Sequence, residues 1–148
     1  MRFIHIALAA GLVFARDAAG ASDWVEAQSL RELPAGVQVL LGVGLAPGDG
    51  GIADRGERFG ATDAVVSGAG DSLHRRRFAL GMVGADTALV AEERGGIAYT
   101  VRAVEYRRTG ETWEAARCAS LFQPPQRAAE LLDAFADRAG RALRRLEQ

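Results

Sequence analysis

The sequence predicts an α+β fold in which an antiparallel four-stranded meander is covered by a C-terminal amphipathic helix. Three observations support this prediction: four runs of strand character in the second half of the chain, short turn signals between them, and a helical apolar period near the C-terminus. The four runs are rich in β-branched and aromatic residues and cover residues 77–83, 87–91, 97–106 and 112–118.

The connections between these runs decide how the strands pair. Turn signals lie at residues 84–86, 94–96 and 109–110, whereas parallel pairing would require a crossover of a dozen residues or more. We therefore expect antiparallel neighbours. In the third run, apolar positions are set against polar ones such as Arg102 and Glu105, which predicts one covered face and one wetter face.

The last segment predicts a helix over residues 126–146, because two prolines at 124 and 125 end the sheet. This helix has one face to bury, and the sheet is the obvious surface, so residues 22–148 are expected to form a single two-layer α+β domain. Its apolar residues recur at spacings of three and four and are Leu131, Leu132, Phe135, Ala139, Leu143 and Leu146.

The first half of the chain is predicted with fewer regular elements. A capped helix is expected from residue 22 or 23 to about residue 32. Residues 34–42 favour a short helix with proline at its start and glycine after its end, and a strand is the alternative. Residues 43–70 predict a long surface connection, with one brief strand at 64–66.

The N-terminus has the features of a secretory signal peptide over residues 1–21. A basic start is followed by a mostly apolar run and by Ala19-Gly20-Ala21, the small residues that a signal peptidase accepts. The run is shorter than the roughly 20 apolar residues that span a bilayer, so we expect no stable membrane span and a periplasmic or secreted protein. A buried first helix of a cytoplasmic protein is the alternative.

Composition narrows the classes of partner. The chain has 148 residues, a net charge of -1, and 18 residues counted as Lys plus Arg. All of these are Arg, because the chain contains no Lys, and it contains no Asn either. This residue usage is typical of a GC-rich bacterial genome. A slightly acidic chain without aromatic residues interleaved among its arginines does not predict nucleic-acid binding.

The glycine-rich segment at residues 48–60 raises the question of a phosphate or a metal. Its first residues fit the letters G-x-G-x-x-A, but no helical period follows them and the chain has no P-loop lysine. Asp49, Asp54, Glu57 and Asp63 are candidate calcium ligands, yet Arg55 and Arg58 lie between the acids, which favours solvated ion pairs. We therefore interpret the segment as a cluster of turns.

The chain contains few of the residues that bind metals or act as nucleophiles. After signal cleavage one His and one Cys remain, too few for a zinc site, so no metal and no cofactor are predicted. The candidates for nucleophilic catalysis are His74 with Cys118 or with a serine, of which Ser67 and Ser72 are nearest in sequence. Cys118 itself is expected to be a buried, inert thiol in a strand.

The strongest charge feature is a run of arginines at the start of the first predicted strand. Three guanidinium groups beside one imidazole can bind a phosphate, a sulfate or an acidic partner, although alternation along a strand splits them between two faces. The alternative is that Glu92 and Glu93 pair with them across the hairpin, as a solvated sheet rim. The candidate ligand-binding residues are His74, Arg75, Arg76 and Arg77.

Together these observations predict a small exported bacterial protein that binds rather than catalyses. The expected partner is an envelope protein or a small anionic ligand. The main alternative is a small hydrolase that uses His74 with a serine or Cys118, and a third possibility is a structural subunit of an envelope assembly, which a large exposed apolar patch would indicate.

Overall fold

The computed structural model describes residues 23–62 and 73–136. In this part of the chain, five antiparallel strands form one sheet in the order in which they occur in the sequence. The predicted signal peptide and the predicted strand at 64–66 lie outside the described residues. The strands are β1 (Val25–Ala27), β2 (Arg76–Val83), β3 (Thr87–Arg94), β4 (Thr100–Thr109) and β5 (Thr112–Leu121).

The antiparallel meander of β2 to β5 is confirmed. Short turns join its strands, and each strand pairs with the next along most of its length. Two register shifts interrupt the pairing, one between Phe78 and Leu80 and one between Glu105 and Tyr106. Extra residues of this kind bend a strand locally, and they lie in regions that alternation alone would read as regular.

The predicted helix from residue 22 or 23 to about residue 32 is wrong. Val25–Ala27 is instead a fifth strand, paired with Gly81 to Val83 of β2, and Leu30–Glu32 is a single 3-10 turn capped by Ser29. So short a segment carries no reliable helical or strand period. Its conformation is decided by the free edge of β2, which a distant part of the chain provides.

The short helix that the sequence favoured after Pro34 is present as α1 (Ala35–Leu41). Gly42 ends it with φ 76°, in the left-handed region where a glycine carries no side-chain penalty. Val37 and Leu41 face inward and are 0% and 1% exposed. The α1 helix therefore contributes a small apolar face to the core.

Both faces of the sheet are covered, so the expected wetter face is not observed and the domain has three layers. The 3-10 turn, α1 and the following loop cover one face, and residues 128–136, the described part of the C-terminal helix, cover the other. The first layer contributes Leu30, Leu33, Val37, Leu41 and Ile52 to a cluster with Phe78, Val90 and Val104. The second contributes Leu131 and Phe135 to a cluster with Met82, Leu89 and Ala103.

The predicted C-terminal helix is confirmed over its described turns. Leu131 is 0% exposed and Phe135 4% exposed, as the apolar period predicts. The expected core residues Ala139, Leu143 and Leu146 lie outside the described residues.

The glycine-rich segment does turn the chain, but it is not merely a surface connection. After a 3-10 turn at Pro47–Asp49, Ile52 and Ala53 are buried, and Ala53 forms a parallel bridge to Arg77 of β2. The Ala53 N–H donates to the Arg76 carbonyl, and the Phe78 N–H donates to the Ala53 carbonyl. The segment thus continues the β2 edge where β1 ends.

Candidate functional site

Arg76 holds three separate parts of the fold together. Its Nε and Nη2 atoms donate to Glu92 Oε2 at 3.0 and 2.6 Å. Its Nη1 atom donates to the carbonyl oxygens of Leu41, at the end of α1, and of Gly50, in the glycine-rich segment, both at 3.2 Å. This guanidinium therefore joins β3 to the two segments that cover one face of the sheet.

Arg77 makes a corresponding set of contacts with the next residue of β3. Its Nε and Nη2 atoms donate to Glu93 at 2.7 and 2.9 Å, and its Nη1 atom donates to the Glu57 carbonyl at 3.0 Å. The Tyr99 hydroxyl donates to the same carboxylate at 2.7 Å, and the guanidinium lies 4.3 Å from the centroid of the Phe59 ring. Both guanidinium groups are thus engaged by the protein itself.

Burial and hydrogen bonding act in opposite directions on the pKa of Glu93 but in the same direction on the pKa of Tyr99. Burial raises the pKa of Glu93, but the hydrogen bonds from Arg77 and Tyr99 outweigh it, so this pKa lies below its usual value. Burial and the bond to Glu93 raise the pKa of Tyr99 to about 12. At neutral pH the carboxylate is therefore charged and the phenol is protonated.

Arg76 and Arg77 pair with Glu92 and Glu93 across the hairpin, which was the alternative to an anion-binding site in the sequence analysis. The two carboxylates are buried, however, and do not form the solvated rim expected there. Glu92 is 2% exposed and Glu93 6% exposed. A third carboxylate, Glu105, is also 2% exposed and accepts from Arg107 and Arg117. Sequence reasoning missed this third group, although an acid between apolar residues of a central strand was a visible signal.

His74 takes no part in these ion pairs and instead lines an open cleft of about 390 Å³. Its Nδ1 atom is buried and has no hydrogen-bond partner among the described residues. An unpaired buried nitrogen is costly unless a ligand or water satisfies it. The cleft is lined by Leu30, Arg31, Gln38, Val43, Gly44, Leu45, Ile52, Asp54, Glu57 and His74.

The glycine-rich segment builds the wall of this cleft by a close backbone approach. A Cβ atom at Gly51 would overlap the Leu45 carbonyl oxygen and would come within 2.8 Å of the His74 ring. On the other side, the Gly60 N–H donates to the His74 carbonyl at 2.8 Å. Glycine at position 51 therefore lets the loop pack against the imidazole.

Arg75, the remaining member of the predicted site, directly precedes β2 and has an exposed side chain. Its carbonyl oxygen accepts from the Gly95 N–H at 2.8 Å. The structure thus divides the four candidates: Arg76 and Arg77 bind internal carboxylates, while His74 alone lines the cleft.

The predicted nucleophiles are not beside His74 in the described residues. Cys118 is opposite Val104, which is opposite Val90 and then Gly81, so it lies three strand spacings, or about 14 Å, from β2. The thiol is also exposed rather than buried, because β5 is an edge strand that the covering layers reach only in part. Ser67 and Ser72 lie outside the described residues.

Ser29 is the serine that the fold brings near the cleft, and its hydroxyl is already committed. Its Oγ atom donates to Asp54 Oδ2 at 2.9 Å. A nucleophile needs its proton directed to a base such as His74. This serine therefore lacks the arrangement of a catalytic pair.

The strands and helices place the protein in the α+β class, with an antiparallel sheet. Within the described residues no helix has both the length and the apolar character needed to span a bilayer. The same residues contain no group of three or more His, Cys, Asp or Glu side chains placed to hold a metal ion. No family model, curated protein or solved structure matches the chain.

Proposed function

We propose that this chain is a small exported protein that binds a ligand without transforming it, and that its binding site is the cleft beside His74. The observation that carries the proposal is a cleft of about 390 Å³ that is lined by His74, a residue whose Nδ1 atom is buried without a hydrogen-bond partner among the described residues. That volume lies in the range of small-molecule sites, and such sites combine apolar walls with a few polar groups.

The arrangement of potential catalytic groups favours binding over hydrolysis. In the described residues, the Ser29 hydroxyl donates to Asp54 and the Cys118 thiol lies across the sheet from His74. An imidazole without a nucleophile in reach can still donate or accept one hydrogen bond to a ligand. This is the role that we assign to His74.

The arginines of the predicted anion site have a supporting part in this proposal. Arg76 donates to the Gly50 carbonyl and Arg77 donates to the Glu57 carbonyl. Gly50 and Glu57 belong to the glycine-rich segment, which forms one wall of the cleft. The charge of the two arginines is balanced by Glu92 and Glu93. These arginines hold the wall in place instead of binding the ligand directly.

The binding site is tested by fragment screening of the ¹⁵N-labelled mature protein. Binders found by ligand-observed NMR are added singly, and shifted amide signals are mapped. We expect the largest shifts at Gly44, Leu45 and Glu57, with little change at Leu131 on the opposite face. If every binder shifts signals only on that opposite face, the cleft is not the site.

Export is tested on the protein as the cell makes it. The intact mass of the protein from the periplasm or culture medium is expected to correspond to cleavage after Ala21. Recovery of the full-length chain from the cytoplasm would contradict the signal peptide, and with it the proposed location.

A further inference from the structure

The polar groups that line the cleft are not equally available to a ligand. Asp54 accepts three hydrogen bonds, from the Ser29 hydroxyl and from the N–H groups of Leu30 and Arg55. Glu57 accepts from the Asp54 N–H at 2.7 Å. Both acids are thus used to shape the loop, which limits what they offer a ligand.

The uncommitted donor side chains of the cleft are Arg31 and His74. No ion pair or hydrogen bond of the Arg31 guanidinium is found among the residues that the structure describes, and the His74 Nδ1 atom is likewise unpartnered. Gln38, by contrast, already donates to the Leu33 carbonyl at 2.8 Å. A guanidinium and an imidazole that are both unengaged favour an acceptor with negative charge.

The rest of the lining is apolar and continues onto the surface. Leu30, Val43 and Ile52 form the inner part of the cleft, and Leu45 at its rim is 50% exposed. Ligand sites usually combine apolar walls of this kind with a few polar groups. A ligand that fills this space therefore has an apolar body as well as an acceptor group.

We propose that the cleft binds a small carboxylate with an apolar body, and this inference rests on the function proposed above. The carboxylate lies between the Arg31 guanidinium and the His74 ring. The hydrocarbon part covers Leu30, Val43, Leu45 and Ile52. A cationic amphiphile is the rival occupant, because two carboxylates, those of Asp54 and Glu57, also line the cleft.

The ligand class is tested with four probes that separate charge from apolar area. Octanoate, octanol, octylamine and acetate are titrated into the mature protein, and amide shifts in the cleft are followed by NMR. Octanoate is expected to bind most tightly. Acetate is expected to be at least tenfold weaker, because it lacks the hydrocarbon chain, and octanol is expected to be weaker because it lacks the charge.

Two matched arginine variants test the position of the carboxylate. Arg31→Gln is expected to weaken octanoate binding about tenfold, the loss that corresponds to one charge-assisted hydrogen bond. Arg58→Gln removes the same charge from an exposed site outside the cleft lining and is expected to change binding less than twofold. His74→Phe preserves a ring but removes both nitrogens, so it also weakens octanoate.

The outcomes separate this inference from the proposed function. Equal or tighter binding of octylamine or octanol, or an Arg31→Gln variant that binds octanoate normally, would overturn the carboxylate while leaving the cleft as a binding site. If none of the four probes shifts a signal in the cleft and the fragment screen also finds nothing there, both proposals fail.

Discussion

Replacing Arg76 by methionine is expected to destabilise the fold far more than replacing a surface arginine. The Glu92 side chain is buried, with 3% of its surface exposed, and Arg76 donates to its carboxylate at 3.0 and 2.6 Å. The variant leaves this buried charge with Arg94, whose Nε atom lies at 3.2 Å. It also removes the donors to the Leu41 and Gly50 carbonyls.

The expected cost is about 3 kcal/mol in the free energy of unfolding. Removing one partner of a buried ion pair costs about 3 to 5 kcal/mol, and the remaining contact to Arg94 places the value at the lower end. For a domain of this size, that loss lowers the melting temperature by roughly 6 to 12 °C. Urea unfolding followed by tryptophan fluorescence measures the free energy directly.

The chain offers a matched control in the pair of Arg108 and Asp86. The Arg108 Nη2 atom lies 2.7 Å from Asp86 Oδ1, but the two side chains are 44% and 65% exposed. Such a pair contributes less than about 1 kcal/mol, so Arg108→Met is expected to have a small effect. Equal losses for Arg76→Met and Arg108→Met would refute the reasoning, because burial would then not decide the strength of the pair.

A double variant provides a second test of the same argument. Arg76→Met combined with Glu92→Leu removes the buried carboxylate that has lost its main partner and replaces it with an apolar side chain. Because a buried charge without its main partner is costlier than no charge at all, the double variant is expected to be more stable than Arg76→Met alone. A double variant that is less stable than the single one would show that the carboxylate is not the source of the cost.

Three further predictions concern individual residues. Burial raises the pKa of both tyrosines, that of Tyr99 to about 12, so absorbance at 295 nm should show little phenolate in the folded protein at pH 10. The free energy of unfolding should fall as the pH rises from about 10 to 12, because the folded protein holds the phenol protons more tightly than the unfolded chain does. Gly51→Ala should cost about 1 to 3 kcal/mol through steric overlap, whereas Gly48→Ala, which meets open space, should be close to neutral; equal urea midpoints would contradict this. The Cys118 thiol should react with a thiol reagent in the folded protein, since it is exposed, and labelling only after unfolding would show otherwise.

The meander was predictable because each of its strands is bounded by local signals. The turns after Val83 and Thr109, for example, are short and rich in turn-forming residues, so antiparallel pairing follows from chain geometry alone. The strand at Val25–Ala27 was not predictable, because its three residues become a strand only when the edge of β2 is available. Its conformation depends on a partner more than fifty residues away.

The candidate site divides in the same way. The pairing of Arg77 with Glu93 could be anticipated from the hairpin, since the two residues are directly opposite. The burial of Glu93 could not be anticipated from the hairpin alone, because its partner Arg77 is itself packed against Phe59, which comes from the glycine-rich segment. The cleft was also unpredictable, since its lining combines residues from three separate parts of the chain, such as Arg31, Leu45 and His74.

The amino-acid sequence by itself determined the α+β class, the antiparallel pairing and the apolar face of the C-terminal helix, because these depend on the period and spacing of neighbouring residues. The tertiary structure alone decided that both faces of the sheet are covered, that three carboxylates are buried with arginines and that His74 lines a cleft. The physical reason is that burial is a property of what packs against a residue, and the packing partners come from distant parts of the chain.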